Sequence, residues 1–123
     1  MALPTTSRHI YEFRDYREFI RVKMQERIAR NPRYTLRAFA RDLHLSPQVL
    51  SMVLNRHRGI SNETAARVGE RLGLSVREIA YLMDLVSLDS AKDGTERSVL
   101  EYRLTQWLDQ AFAPIPEAIV SSA

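Results

Sequence analysis

Residues 34–55 have the sequence YTLRAFARDLHLSPQVLSMVLN. The apolar side chains between Leu36 and Leu43 recur at steps of three and four, which predicts a short helix with one buried face. Thr35 precedes this helix in the position of an N-cap. After a short break, Ser46 can cap a second helix that has Pro47 at its first position, where the missing N–H costs nothing. We therefore predict two short helices joined by a tight turn.

The side chains around the turn meet the packing needs of a helix-turn-helix. Ala40 is small enough to let the two helices cross closely. Leu45 can plug the core behind the turn, and Leu50 can anchor the second helix to the first. His44 occupies the turn position that usually adopts left-handed geometry, which histidine tolerates better than most side chains.

The same signals predict an all-α chain of five to six helices. Glycine is scarce and no run of alternating β-branched residues occurs, which argues against a sandwich or barrel. Arg14, Arg17 and Arg21 fall mostly off the apolar face of the first helix, so we expect them to be solvated. We expect helices at about 10–29, 35–43, 46–54, 61–73, 75–88 and 95–112. The expected core contains Phe13, Ile20, Phe39, Ala40, Leu43, Leu45, Leu50, Val68, Leu72, Leu74, Ile79 and Leu82.

These elements suggest a division of the chain. We expect a flexible N-terminus at 1–9, a helix-turn-helix domain at 10–90, a C-terminal helix with a role in dimerisation at 91–113, and a loose tail at 114–123.

Charge is distributed unevenly along the 123 residues. Residues 1–60 have a net charge of +7 and residues 61–123 a net charge of −4. Arginine supplies 16 of the 18 basic residues, and its planar guanidinium suits phosphate groups and base edges. This asymmetry favours a nucleic-acid face on one half and a second surface on the other.

The order of the helices resembles the Cro/C1 (Xre) type of phage-repressor domain. The resemblance rests on Phe39-Ala40 and Leu45-Ser46-Pro47 in the motif, and on Leu72-Gly73-Leu74-Ser75 between later helices. It implies a repressor-like bundle with a DNA-binding helix-turn-helix.

A narrower similarity is to a poorly characterised bacterial family that places such a motif before a larger helical domain. It spans about residues 11–104. The residues that carry it are Asp15-Tyr16-Arg17, Arg37-Ala38-Phe39-Ala40-Arg41, Leu85-Val86 and Ala91-Lys92.

The repressor resemblance, taken residue by residue, implies where DNA would be contacted. Gln48 is the strongest candidate for reading a base, because its amide can pair with adenine through two hydrogen bonds. The implied base contacts are Ser46, Gln48, Ser51 and Met52. The implied phosphate contacts are Thr35, Arg37, Asn55, Arg56 and Arg58.

The sequence thus predicts a sequence-specific regulator of transcription that binds double-stranded DNA through helix 47–54. The alternative is a non-catalytic adaptor that uses the same fold to bind an acidic protein. We also expect a homodimer, because one such module reads few bases. Its predicted contacts are Leu100, Leu104, Trp107 and Leu108, with Tyr81, Val99, Tyr102 and Phe112 as further apolar surface. A protein partner for the acidic C-terminal half is a second expectation.

Other chemistries find little support in the sequence. His9, His44 and His57 are scattered and have no paired carboxylates at ligand spacing, and cysteine is absent, so we expect no metal site and no cofactor. No Gly-rich phosphate loop occurs, and we expect no enzymatic activity. No apolar run reaches membrane-spanning length and no signal peptide is recognisable, so we expect a cytoplasmic protein.

Overall fold

The computed structural model describes residues 8–112, and within that range it is all-helical, as predicted. A short 3₁₀ turn at Ile10–Glu12 comes first. The α-helices are α1 (Tyr16–Arg30), α2 (Leu36–Asp42), α3 (Pro47–Leu54), α4 (Asn62–Arg71), α5 (Val76–Ser90) and α6 (Gly94–Phe112). The predicted tail at 114–123 and most of the predicted flexible segment at 1–9 lie outside the described residues. None of the described helices combines the length and the apolar character needed to cross a bilayer.

Serine or threonine side chains cap the N-termini of four helices at the predicted positions. Thr35, Ser46 and Ser61 each accept a hydrogen bond of 3.1 Å from the backbone N–H three residues further on. Ser75 and Glu78 form the predicted capping box at the start of α5. Each cap satisfies an N–H that the helix itself leaves unpaired, which stabilises the helix by about 1 kcal/mol.

The first helix begins later than predicted, at Tyr16 rather than Ile10. The carboxylate of Asp15 accepts a hydrogen bond of 2.9 Å from the backbone N–H of Arg17 and so caps the helix there. Phe13 has an extended backbone, yet both Ile10 and Phe13 are buried. The apolar pattern therefore identified Phe13 correctly as a core position, but Phe13 lies in an extended segment before the helix and not within it.

Three helices end in a residue with left-handed backbone geometry. His44 after α2, as predicted, has a φ of 60°, Arg56 after α3 has 64°, and Gly73 after α4 has 78°. Beyond each of them, a backbone N–H bonds to the carbonyl five positions earlier, at 2.8–3.0 Å. This Schellman arrangement suits glycine, whereas side chains such as those of His44 and Arg56 oppose it by about 1–2 kcal/mol.

The core lies where α5 packs against α1, α4, α6 and the 3₁₀ turn, and it continues to α2 and α3. At Gly69 an added Cβ would lie 2.7 Å from Cγ1 of Ile79, so α4 and α5 approach too closely there for a side chain. Most of the predicted core is buried, including Ala40, Leu43 and Leu50. The exceptions are Leu45, Leu72, Leu74 and Ile79, which stay partly exposed; the first three lie in or beside the turns that follow α2 and α4.

Ala40 provides a test of the crossing between α2 and the rest of the core. Its side chain is completely buried, so Ala40→Leu must force extra atoms into packed space and is expected to lower the free energy of unfolding by about 1–3 kcal/mol. Urea denaturation measures the loss. Ala29→Leu, at an exposed position of α1, is the control and should leave stability unchanged. Equal stability of the two variants would contradict a tight crossing at Ala40.

Candidate nucleic-acid interface

Helix α3 buries one face and exposes the other. Leu50, Val53 and Leu54 are buried, whereas Ser46 and Gln48 are exposed at the start of the helix. The hydroxyl of Ser46 is used as the N-cap and accepts a hydrogen bond from Val49. The amide of Gln48 makes no hydrogen bond to the described part of the chain, so both its donor and its acceptor are available to a ligand.

The two other predicted base contacts, Ser51 and Met52, lie about one turn further along α3. Ser51 and Met52 are only partly exposed, and the hydroxyl of Ser51 accepts a long hydrogen bond of 3.4 Å from the amide of Asn55. These two side chains are less accessible than Gln48, which remains the most available polar group on α3.

The C-terminal end of α3 is held by arginines of α1. Nε of Arg17 donates to the carbonyl of Val53 at 2.8 Å, and Nη2 of Arg21 donates to the carbonyl of Leu54 at 2.8 Å. Carbonyls in the last turn of a helix have no partner within the helix, and the helix dipole places partial negative charge on them. Two guanidinium groups therefore satisfy this end and fix the position of α3 relative to α1.

Arg17 also connects this end to two other parts of the chain. Its Nη2 donates to the carbonyl of Arg58 in the loop after α3 at 3.0 Å, and its Nη1 pairs with the carboxylate of Asp89 on α5 at 2.9 Å. The guanidinium carbon lies 4.7 Å from the centroid of the Tyr16 ring. The side chain is only 6% exposed. The prediction that Arg17 is solvated was wrong.

The predicted phosphate contacts of the loop differ in their surroundings. Arg58 and Asn55 are exposed, and the guanidinium of Arg58 has no ion-pair partner among the described residues. Arg56 is exposed but forms an ion pair with Asp15 at the start of α1. Burial alone would raise the pKa of Asp15, but the hydrogen bonds from Arg56 and from the backbone of Arg17 outweigh it and lower that pKa. The carboxylate thus stays ionised opposite the guanidinium.

The predicted phosphate contacts of α2 lie at its first turn. The hydroxyl of Thr35 serves as the N-cap, while Arg37 is exposed and unpaired among the described residues. Arg41, which the sequence analysis did not single out, is exposed one turn further along the same face. Like charges four residues apart destabilise a helix slightly, so this face of α2 concentrates positive charge at a small cost.

The predicted dimer contacts of α6 are mostly occupied within the chain. Leu100 and Leu104 are buried, and Trp107 and Leu108 pack partly buried against the core. Nε1 of Trp107 donates to the carboxylate of Asp84 on α5 at 2.8 Å. The apolar stripe of α6 is therefore used to dock this helix on its own domain, and Leu100 and Leu104 are core residues rather than a free surface.

Tyr81 was also expected at an interface, and it too is buried. Its hydroxyl donates to the carbonyl of Phe13 at 2.7 Å. Val99, Tyr102 and Phe112, at 51%, 66% and 64% exposed, form the free apolar part of α6.

Sequence reasoning missed the residues that position α3, namely Asp15, Arg17, Arg21 and Asp89. Their signal was weak, because arginines between the apolar positions of a helix ordinarily face solvent. A comparison of the chain with protein-family models, curated proteins and solved structures found no significant match.

Replacement of Arg17 tests the anchoring of α3. Arg17→Met keeps a long apolar stem but removes the donor to the carbonyl of Arg58, the ion pair with Asp89 and one of the two donors to the carbonyl of Val53, which also accepts from the N–H of Arg56. We therefore expect a loss of about 1–3 kcal/mol in the free energy of unfolding. Arg17→Lys should recover only part of it, because an ammonium lacks the planar fork. Arg30→Met, at an exposed position of α1, is the control. Denaturation midpoints that agree for the Arg17 and Arg30 variants would contradict the anchor.

Proposed function

We propose that this protein binds double-stranded DNA in a sequence-specific manner, with α3 in the major groove, and that it regulates transcription. The observation that carries the proposal is the exposed, unpaired amide of Gln48 on a helix whose opposite face is packed and whose C-terminal end is anchored. A rigidly held helix with a free amide suits recognition of adenine, whose N6 amino group donates to the amide oxygen and whose N7 accepts from the amide nitrogen. The resemblance to repressor domains points the same way.

Exposed arginines supply the electrostatic part of the proposed interaction. Arg58 follows α3, and Arg37 and Arg41 lie on α2, all of them without an ion pair in the described part of the chain. Phosphate contacts of this kind provide affinity that does not depend on sequence and that weakens with salt. Arg56 would join them by exchanging the carboxylate of Asp15 for a phosphate group.

We retain a dimer in the proposal, but we place its interface on a different face of α6 from the one that the sequence predicted. Val99 and Tyr102 are three residues apart on α6 and share an exposed face. A two-fold dimer through this face would present two copies of α3, and a repressor-type arrangement would place them about 34 Å apart on a palindromic site.

Gln48 and Arg58 test the two parts of the interface separately. In a selection from random duplexes, Gln48→Ala is expected to lose preference at one base pair, at a cost of about 1–3 kcal/mol for the preferred site. Arg58→Gln should weaken binding to all duplexes and reduce the slope of log K against log salt by about one. Arg30→Gln, with the same loss of charge on α1, is the control.

The selection also distinguishes DNA recognition from the adaptor alternative. If the parent protein enriches no sequence, the proposed function is wrong and an acidic protein partner becomes the better explanation for the arginines. If it enriches a sequence that Gln48→Ala leaves unchanged, DNA binding stands but α3 is not the recognition helix.

Tyr102→Glu tests the proposed dimer. A charge on this exposed face should convert a dimer to a monomer without unfolding the chain, as measured by sedimentation equilibrium and circular dichroism. Gln110→Glu, at another exposed position of α6, is the control and should remain dimeric. A parent protein that sediments as a monomer at high micromolar concentration and selects an asymmetric site would contradict the dimer.

A further inference from the structure

A small cleft lies where the start of α1, the end of α5 and the start of α6 meet. Its volume is about 180 Å³, and its charged lining consists of Arg14, Asp15, Asp89 and Arg97. Sites that take drug-sized ligands have about 300–1,000 Å³, so this cleft suits a much smaller molecule. No residue of α3 lines it, so it has no part in the proposed recognition of bases.

The carboxylates that line the cleft are paired, whereas its arginines are not. Asp15 is paired with Arg56, and Asp89 is paired with Arg17. Arg14 and Arg97, in contrast, make no side-chain hydrogen bond or ion pair with the part of the chain that the structure describes. The lining thus holds two guanidinium groups and two carboxylates, but Arg17 and Arg56, from outside the lining, neutralise both carboxylates, so the unpaired charges of the cleft are the two positive ones.

The remainder of the lining is largely apolar. Leu85 is buried, Leu88 is partly buried, and the ring of Tyr16 completes the wall. A concave site reduces the screening of the charges that line it, because it excludes part of the water around them. Two unpaired guanidiniums at such a rim form a receptor for an oxyanion, since each offers several N–H donors in one plane.

We propose that this cleft binds a small oxyanion of the phosphate class, held by Arg14 and Arg97. Free phosphate and a small phosphate monoester share the chemistry that the two arginines recognise. The proposal does not rest on DNA binding by α3, because neither arginine lies on that helix.

Titration of the intact protein with inorganic phosphate tests the proposal, with sodium chloride used to keep the ionic strength constant. In amide NMR spectra we expect saturable shifts at the start of α1, the end of α5 and the start of α6. Arg14→Gln and Arg97→Gln should each weaken binding by about tenfold or more, the effect of losing a charged hydrogen bond. Arg67→Gln removes the same charge from an exposed position of α4 and should bind like the parent.

A parallel titration with methyl phosphate identifies the source of the anion. Equal affinity for the two probes supports a site for phosphate esters, and loss of affinity for the ester supports a site for the free ion. The proposal is overturned if no shift saturates below about 10 mM phosphate, or if both glutamine variants bind as the parent does. It is also overturned if a short DNA duplex displaces phosphate from the cleft, because the two arginines would then belong to the DNA face. Melting temperatures equal to that of the parent protein confirm that the glutamine variants are folded.

Discussion

The guanidinium group of Arg17 contacts three segments that all lie far from it in the sequence. It donates to the last turn of α3 and to the loop after it, and it pairs with Asp89 at the end of α5. A buried arginine is costly unless its donors are satisfied, so these contacts are mutually dependent. If one of them is lost, the remaining contacts no longer fully offset the cost of removing the guanidinium group from water. Arg17, together with Arg21, therefore sets the position of α3 relative to α1.

Helix α5 complements this anchor from the other side of the core. Tyr81 holds the segment before α1, Asp84 receives Arg103 and Trp107 of α6, and Asp89 receives Arg17. Tyr81 and Asp84 are buried, so their pairs satisfy polar groups that burial would otherwise leave without a partner. Apolar packing supplies most of the stabilisation, while these polar pairs specify which elements meet.

Local signals in the sequence were sufficient to predict the helices, apart from the start of α1, which was predicted at Ile10 rather than Tyr16. Ser61, Ser75 and Glu78 act within four residues of themselves, so their caps follow from sequence alone. The left-handed geometry of His44 was likewise predicted from its place in the turn. Arg17 was assigned to solvent and Leu100 to a dimer interface because both assignments depend on contacts over long sequence distances. Periodicity predicts that a face is apolar, but not which surface covers it.

Arg17 and Arg21 hold α3 entirely through backbone carbonyls. Every residue type presents the same carbonyl, so the anchor is indifferent to the side chains that α3 exposes. The solvent-facing positions of this helix can accordingly diverge during evolution, or be exchanged by design, while the scaffold keeps its geometry. A family built on this arrangement would be able to acquire new ligand preferences through changes at a few surface positions, without compensating changes in the core.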